Sequence, residues 1–189
     1  MAHFVITLLS IIVPPIWWRK TTRESTCFSS WVGLKEVKMK AKRSFWFSIC
    51  IASAYIFLAA TAHAFIFPGM LHRSPFDSVF MNVAPLAFQC ISTEYFFRGF
   101  IGKRLIGKLG FAVGNTIQAA IYGVFHVVVL TGFMIMDMND LIVYFLMLAS
   151  FGWATGYIME KQAGGSIVPA CIMYSAVMIA SIILIYFFG

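Results

Sequence analysis

A carboxylate and a guanidinium stand four residues apart in an otherwise apolar stretch of this chain. Glu94 and Arg98 lie in the run Thr93-Glu94-Tyr95-Phe96-Phe97-Arg98-Gly99, and residues 79–100 contain no other group that is charged at neutral pH. On a helix, positions i and i+4 share a face, and an acid that precedes a base is the favourable order. A charge near the bilayer centre costs about 2.5–3.5 kcal/mol on insertion scales, so such groups pair and face the protein interior. The run predicts either a self-neutralising ion pair or the edge of an active site.

The composition places this run in a membrane protein. Of 189 residues, 61% are hydrophobic and 11% are charged, and the mean hydropathy is +0.88. These values lie far outside the usage of soluble globular domains. We therefore predict an all-α fold, a polytopic membrane helix bundle with about six transmembrane helices. The formal charge of +7 is concentrated in short stretches, which we interpret as a topology signal and as contact with membrane lipid, not as a nucleic-acid-binding patch.

The chain divides into three predicted parts. Residues 1–43 form an apolar first span and a basic cytoplasmic loop, residues 44–78 form a second span and an external loop, and residues 79–189 form a four-helix core. All Lys and Arg residues except Arg73 then lie on the cytoplasmic side or in the cytoplasmic half of a span, so the positive-inside rule places both termini outside. The core spans run from Val79 to about Leu105 and over Phe111–Met136, Leu141–Met159 and Ile167–Phe188.

Two connections and one packing motif carry more detailed predictions. The middle of the basic loop, Trp31–Met39, is interpreted either as a short amphipathic helix on the membrane surface or as a solvated loop. Asp137–Asp140 is predicted to be an acidic external loop. Gly152 and Gly156 have the GxxxG spacing that lets a neighbouring backbone approach closely.

His126 is predicted to lie at the depth of the acidic run. If the third helix ends near Leu105 and the fourth begins near Phe111, Thr93 lies 12 residues before the turn and His126 lies 15 residues after it. With a rise of about 1.5 Å per residue, the two positions differ in depth by about one turn. A carboxylate-bearing helix and a histidine-bearing helix are therefore predicted to meet inside the membrane.

These residues resemble the motifs of the CPBP family, which is named for CAAX proteases and bacteriocin-processing enzymes and is also called Abi. A Glu-Glu-x-x-x-Arg-Gly motif is similar to Thr93–Gly99, and a Phe-x-x-x-His motif is similar to Tyr122–His126. The third motif, Gly-Tyr-x-x-Glu-Lys followed by Gly-Ser and Pro-Ala, is similar to Gly156–Lys161, Gly165-Ser166 and Pro169-Ala170. The resemblance covers about residues 79–189 and implies a bundle of membrane helices with glutamic-type intramembrane protease activity.

The sequence departs from this family where the resemblance implies the chemistry. In the family, the first Glu and the His of the second motif are taken to activate a water, and a His and an Asn of the last helix to hold the oxyanion. Three of these groups differ: Thr93 replaces the first Glu, Tyr174 or Met173 the second His, and Val177 or Met178 the Asn. Only His126 remains of the four.

The remaining residues are assigned narrower roles. Glu94 and Arg98 match the family's second Glu and its Arg, whose implied role is to brace the helix. A threonine hydroxyl cannot take up a proton as a general base near neutral pH, so Thr93 is limited to orienting a water. Tyr174 is a candidate oxyanion donor. No metal ligands cluster along the sequence, and we predict neither a metal nor a cofactor.

Three functions stay open at this point. The first is a catalytically silent partner, scaffold or immunity-type subunit. The second is an active glutamic-type endopeptidase that processes the terminus of a membrane-associated protein, with Glu94 or His126 as base and Thr93 and Tyr174 as polar helpers. In a variant of this function, Cys90 is the nucleophile. The alternative interpretation of Cys90 is an inert thiol within the membrane.

The third function is a small transport or structural subunit of a membrane complex, in which Glu94, Arg98 and His126 line a polar path. The expected partners are membrane lipid and either another membrane protein or the end of a membrane-associated substrate, with no nucleic acid. The family resemblance implies a multi-pass location in a prokaryotic cytoplasmic membrane.

Overall fold

The computed structural model describes residues 2–21, 27–37, 46, 49–50, 53–54, 88, 91–131 and 137–176, and the secondary structure in these ranges is helical. The predicted all-α fold is confirmed. The helices are α1 (Ala2–Thr21), α2 (Phe28–Val32), α3 (residues 91–94, the π-helical Tyr95–Gly102 and Lys103–Leu109), α4 (Phe111–Thr131), α5 (Met138–Tyr157, continued by the π-helical Ile158–Gln162) and α6 (residues 168–176).

Several predictions fall wholly or largely outside the described residues. The second span and its external loop, residues 44–78, are described only at the few positions given above. Cys90 and residues 177–189, which include Val177 and Met178, are also outside the described ranges. The count of six spans and the external position of both termini therefore stay predictions.

Two helices of the described part are long and apolar enough to cross a membrane. They cover Phe111–Val129 and Met138–Gln162. Large apolar side chains are exposed along one stripe of α4, at the helical spacing of three or four residues, namely Val113, Ile117, Ile121, Val124 and Val128. A continuous aliphatic stripe on the outside of a packed helix pair fits contact with lipid hydrocarbon.

Small residues bring α4 and α5 into close contact. A methyl group built on Gly152 would lie 3.2 Å from Cα of Ala119, and one built on Gly156 would overlap Oδ1 of Asn115. The predicted close approach at the GxxxG pair is therefore present. Asn115 uses the proximity to donate from Nδ2 to the carbonyl of Trp153 at 2.9 Å.

The turn between α3 and α4 is equally tight. Helix α3 runs one turn beyond the predicted end near Leu105, and Gly110, with φ at +79°, then reverses the chain. Gly114 on α4 faces the backbone of Leu105 and Ile106 so closely that a methyl group there would clash at 2.6 Å. The two helices thus form an antiparallel hairpin, which the prediction that Thr93 and His126 lie at similar depth requires.

The acidic stretch at the start of α5 is helical over most of its length, so its prediction as a loop was wrong. Asp137 is the N-cap, and its Oδ1 accepts a hydrogen bond from the backbone N–H of Asp140 at 2.9 Å. A capping carboxylate satisfies an N–H group that has no partner within the helix and stabilises the helix start.

In the described part of the basic loop, the predicted helix from Trp31 onward is not formed, and the residues after α2 form a loop with exposed positions at Leu34, Lys35 and Glu36. Helix α2 ends at Val32 because Gly33 adopts a left-handed conformation with φ at +86°. The carbonyl of Gly33 accepts from the N–H of Ile167 at 3.0 Å, and Oγ of Ser166 donates to the carbonyl of Lys35 at 2.8 Å. Residues 28–37, called the strap below, therefore lie against the turn before α6.

Candidate active site

Glu94 and Arg98 form an ion pair that is sealed inside the bundle. Both side chains have 0% exposure, and Nε of Arg98 lies 3.4 Å from Oε2 of Glu94. Arg98 also donates from Nε and Nη2 to Oγ1 of Thr155, at 3.0 and 2.8 Å. Thr155 in turn donates to the carbonyl of Phe151 at 2.9 Å. The arginine thereby fastens α3 to α5.

The guanidinium of Arg98 also lies over an aromatic ring of α4. Its Cζ is 4.2 Å from the ring centroid of Tyr122, a side chain that is fully buried. A desolvated cation over an aromatic face is stabilised by about 2 kcal/mol. Among the described residues, neither oxygen of Glu94 has a hydrogen-bond partner besides the ion pair with Arg98. Arg98 therefore contacts an acid, a hydroxyl and a ring on three different helices.

His126 is oriented by the backbone of its own helix. Its Nδ1 lies 2.8 Å from the carbonyl oxygen of Tyr122. Because a carbonyl can only accept, Nδ1 carries the hydrogen, and the lone pair of the neutral ring is on Nε2. The ring is half-buried among aromatic side chains, with centroid distances of 4.1 Å to Tyr122, 5.3 Å to Phe125 and 6.0 Å to Phe97.

Tyr174 on α6 is brought to the same place. Its ring centroid lies 6.4 Å from that of His126 and 6.0 Å from that of Phe151. The structure therefore puts the histidine of the second motif beside the tyrosine that stands at the family's second His or next to it. Helices α4, α5 and α6 meet at this aromatic group.

Thr93 and Glu94 lie on different faces of α3. Thr93 is half-buried and precedes Phe97 by one turn, and Phe97 packs 4.9 Å from Phe125 and 6.0 Å from His126 between ring centroids. Residues one turn apart share a face, so Thr93 lies on the α4 side of the helix. Glu94 is rotated from it and directs its carboxylate to Arg98. Glu94 also faces α4, because its partner Arg98 lies over the Tyr122 ring.

A second ionic group lies at the predicted cytoplasmic end of the bundle. Nζ of Lys103 donates to the carbonyl of Gly165 at 2.7 Å and lies 3.4 Å from Oε1 of Glu160. Glu160 belongs to the third motif and Lys103 follows the first, so this pair joins the two motif-bearing segments. Sequence reasoning missed it, because the separation of 57 residues gives no periodic signal.

Sequence reasoning also missed Thr155 and the part played by the Tyr122 ring. A buried arginine has five N–H donors, so further acceptors beyond one carboxylate were to be expected near Arg98. Nothing in the sequence, however, indicates which hydroxyl of the fifth span supplies one. Within the described ranges, no group of three His, Cys, Asp or Glu side chains is arranged to hold a metal ion.

The helices and this arrangement define an intramembrane-protease-like membrane protein. The family model described as type II CAAX prenyl endopeptidase Rce1-like matches residues 75–180, more than half of the chain. The chain belongs to this family, and the resemblance drawn from the three motifs is confirmed. The family is membrane-embedded, in agreement with the two apolar helices. No match is found among curated proteins or solved structures.

Proposed function

We propose that this protein is a catalytically silent member of the family that serves as a partner, scaffold or immunity-type subunit of another membrane protein. One observation carries the proposal. Glu94, the carboxylate that the first motif retains, has 0% exposure and lies 3.4 Å from Arg98. Thr93 stands where the family resemblance implies the water-activating carboxylate.

The chemistry of peptide hydrolysis supports this proposal. Water must lose a proton to a positioned base, and Thr93 cannot accept it. The tetrahedral intermediate also needs donors aimed at its oxyanion, and losing a single donor costs about 10²–10³ in rate. With the first Glu replaced by Thr93 and the last-helix His by Tyr174 or Met173, the chain has lost a group that the family pattern assigns to each task.

A reconstituted assay tests the proposal. The full chain in liposomes is given a prenylated peptide that ends in a CAAX sequence, with an active member of the family as positive control. We expect the wild type to hydrolyse the peptide no faster than the His126→Ala variant. Hydrolysis by the wild type that disappears in His126→Ala would overturn the proposal.

A gain-of-function variant tests whether the absence of a carboxylate at position 93 makes the protein inactive. Thr93→Glu restores the first Glu of the motif next to the histidine-bearing helix. We expect this variant to gain hydrolysis above the wild-type background, and Thr93→Gln, which has a similar volume but no basic group, to stay at background. Equal rates for the two variants would show that silence has another cause.

One observation favours an active endopeptidase as a second candidate. His126 donates from Nδ1 to the carbonyl of Tyr122, which leaves the lone pair at Nε2, and Tyr174 lies 6.4 Å away between ring centroids. In this candidate, His126 deprotonates the water, Thr93 orients it and the Tyr174 hydroxyl donates to the oxyanion. The substrate is the terminus of a membrane-associated protein. Tyr174→Phe would then lower kcat by about 10²–10³ with little change in KM.

We further propose a multi-pass location in a prokaryotic cytoplasmic membrane, with the turn between α3 and α4 on the cytoplasmic side. Lys108 precedes α4 and Asp137 follows it, and both positions are exposed. In sealed cells of a cysteine-free background, we expect an impermeant maleimide to label Asp137→Cys but not Lys108→Cys. Labelling of Lys108→Cys alone would invert the orientation.

A further inference from the structure

Two ammonium groups converge on one point at the predicted cytoplasmic end of the bundle. A methyl group built on Gly165 would lie 3.2 Å from Nζ of Lys103 and 3.3 Å from Nζ of Lys35. The lysines come from two separate elements, the strap and α3, and Gly165 lies in the turn before α6. Gly165 has φ at +81°, a conformation that favours glycine, and it leaves the space between the ammonium groups open.

The positive charge at this point exceeds the negative charge that faces it. Glu160 is the carboxylate that pairs with Lys103 within the described ranges, and its Oε1 lies 3.4 Å from Nζ. The Lys35 ammonium has no hydrogen-bond partner among the described residues. Arg104 is a third cation nearby, and it uses its guanidinium on the carbonyls of Gly99 and Phe100 and on the ring of Trp31.

The position of Lys103 increases the cost of this like-charge contact. Its side chain is 17% exposed, near the predicted cytoplasmic end of the span. The Glu160 carboxylate attracts the Lys103 ammonium, and the Lys35 ammonium repels it. An anion that bridges the two ammonium groups would offset both the desolvation and the repulsion.

Aromatic side chains next to this group fit a position at the level of lipid headgroups. The Phe100 ring contacts Trp17 and Trp31, with centroid distances of 6.2 and 6.0 Å, one turn or less along α3 from Lys103. Tryptophan rings are enriched at the membrane–water interface, and basic pockets between helices on the cytoplasmic side bind lipid headgroups.

We propose that Lys35 and Lys103, above Gly165, bind a phosphate group at the cytoplasmic surface of the membrane. Ammonium groups donate charge-assisted hydrogen bonds to phosphate oxygens. The phosphate belongs either to an anionic phospholipid headgroup or to a soluble phosphate compound. The site involves none of the residues around His126, so the proposal holds whether or not the protein hydrolyses peptides.

Lipid binding to the purified full chain tests the site. The protein in a neutral detergent is titrated with phosphatidylglycerol, with phosphatidylcholine and, separately, with inorganic phosphate. Retained molecules are counted by native mass spectrometry, and the melting temperature is followed in parallel. A cation near an anionic surface contributes about 1 kcal/mol, so we expect Lys35→Gln to weaken phosphatidylglycerol binding about fivefold. Lys35→Gln removes no hydrogen bond with a described residue and should fold as the wild type does.

Two further variants make the result specific. Lys108→Gln removes the same charge at an exposed position of the same helix and should bind as the wild type does. Lys103→Gln should weaken binding at least as much as Lys35→Gln. Wild-type binding by Lys35→Gln, or an equal loss in Lys108→Gln, would overturn the proposal and indicate diffuse surface charge.

The separate titrations identify the source of the phosphate. Tight retention of phosphatidylglycerol that millimolar inorganic phosphate does not displace supports a lipid headgroup. Stabilisation by inorganic phosphate without anionic lipid, lost in Lys35→Gln, supports a soluble phosphate compound. Equal retention of phosphatidylcholine and phosphatidylglycerol by every variant, with no effect of phosphate, would show that this is not a phosphate site.

Discussion

Two arginines on helix α3 differ in their burial and in the groups that their guanidinium contacts. Arg98 is fully buried and contacts a carboxylate, a hydroxyl and a ring, supplied by Glu94, Thr155 and Tyr122. Arg104, six residues further on, donates to backbone carbonyls of its own helix and to the carbonyl of Trp31 at 3.4 Å, and its Cζ lies 3.1 Å from the ring centroid of Trp31. No carboxylate pairs with Arg104 among the described residues.

The difference fits the depths that are predicted for the two residues in the membrane. A desolvated cation without counter-charge is costly, so Arg98 has its own acid one turn away. Near the predicted cytoplasmic end of the span, water and backbone carbonyls are expected to supply enough stabilisation, and Arg104 holds the strap through the ring and the carbonyl of Trp31. Arg98 and its partners, called the inner group below, therefore fix helix to helix. Arg104 and Trp31, called the outer group, fix the strap to the bundle.

Removing the acid of the inner group should have the largest effect on stability. Glu94→Ala leaves Arg98 buried without its counter-charge, which costs about 3–5 kcal/mol in free energy of unfolding. The loss is measured as the change in melting temperature and in reversible unfolding in mixed micelles. Glu36→Ala removes an exposed acid of the strap and serves as control.

A double variant separates charge from packing in the same experiment. Removing both charges, as in Glu94→Ala with Arg98→Leu, should cost less than Glu94→Ala alone, because no unpaired ion remains. If Glu94→Ala melts like Glu36→Ala, the buried pair is not what holds α3 in place, and the contrast with Arg104 fails.

Losing the hydroxyl partner of Arg98 should have an intermediate effect. Thr155→Val removes the acceptor of two charge-assisted hydrogen bonds, which we expect to cost about 1.5–3 kcal/mol in free energy of unfolding. Thr116→Val is a matched control, because Thr116 makes a similar bond to a carbonyl one turn earlier, at 2.8 Å, but is exposed on α4. Equal losses in the two variants would assign no role to the contact with Arg98.

The outer arginine should matter least for global stability and most for the strap. Arg104→Ala removes the cation above Trp31, an interaction of about 0.5–2 kcal/mol, and should expose the strap to trypsin at Lys35. Arg104→Lys should restore protection only in part, because an ammonium lacks the planar fork that contacts both ring and carbonyls. Arg19→Ala, at an exposed position of α1, is the control. Unchanged cleavage in Arg104→Ala would separate the strap from this arginine.

The inner group was largely accessible from sequence, and the outer group was not. Spacing on a helix predicts that Glu94 and Arg98 share a face, and hydropathy predicts that this face lies in the membrane. Thr93 and His126 are separated from the same turn by similar numbers of residues, which predicts that they lie at similar depth. In a hairpin of two straight helices, the distance from the turn fixes the depth of each residue. These arguments are local or depend on one short turn.

The remaining features depend on long-range packing. Thr155 is one of several hydroxyls in the spans, and only the crossing of α3 and α5 selects it as the partner of Arg98. The strap was predicted as a free helix or a loop, because basic residues suggest solvent. The bonds from Gly33 and Lys35 to the turn at Ser166 and Ile167 join segments more than 130 residues apart, for which periodicity gives no signal.

In the π-helical segment Tyr95–Gly102, the number of residues, and not only their identity, determines the geometry of the site. The turns of this segment are wider than those of an α-helix, and such segments recur at functional positions. Deleting one residue there would let the segment tighten toward the α-helix, which has about 3.6 residues per turn. The wide turns, and with them the positions of Glu94 and Lys103 relative to each other, would then change. Relatives of this chain should therefore be compared by the number of residues between these two positions as well as by their identity.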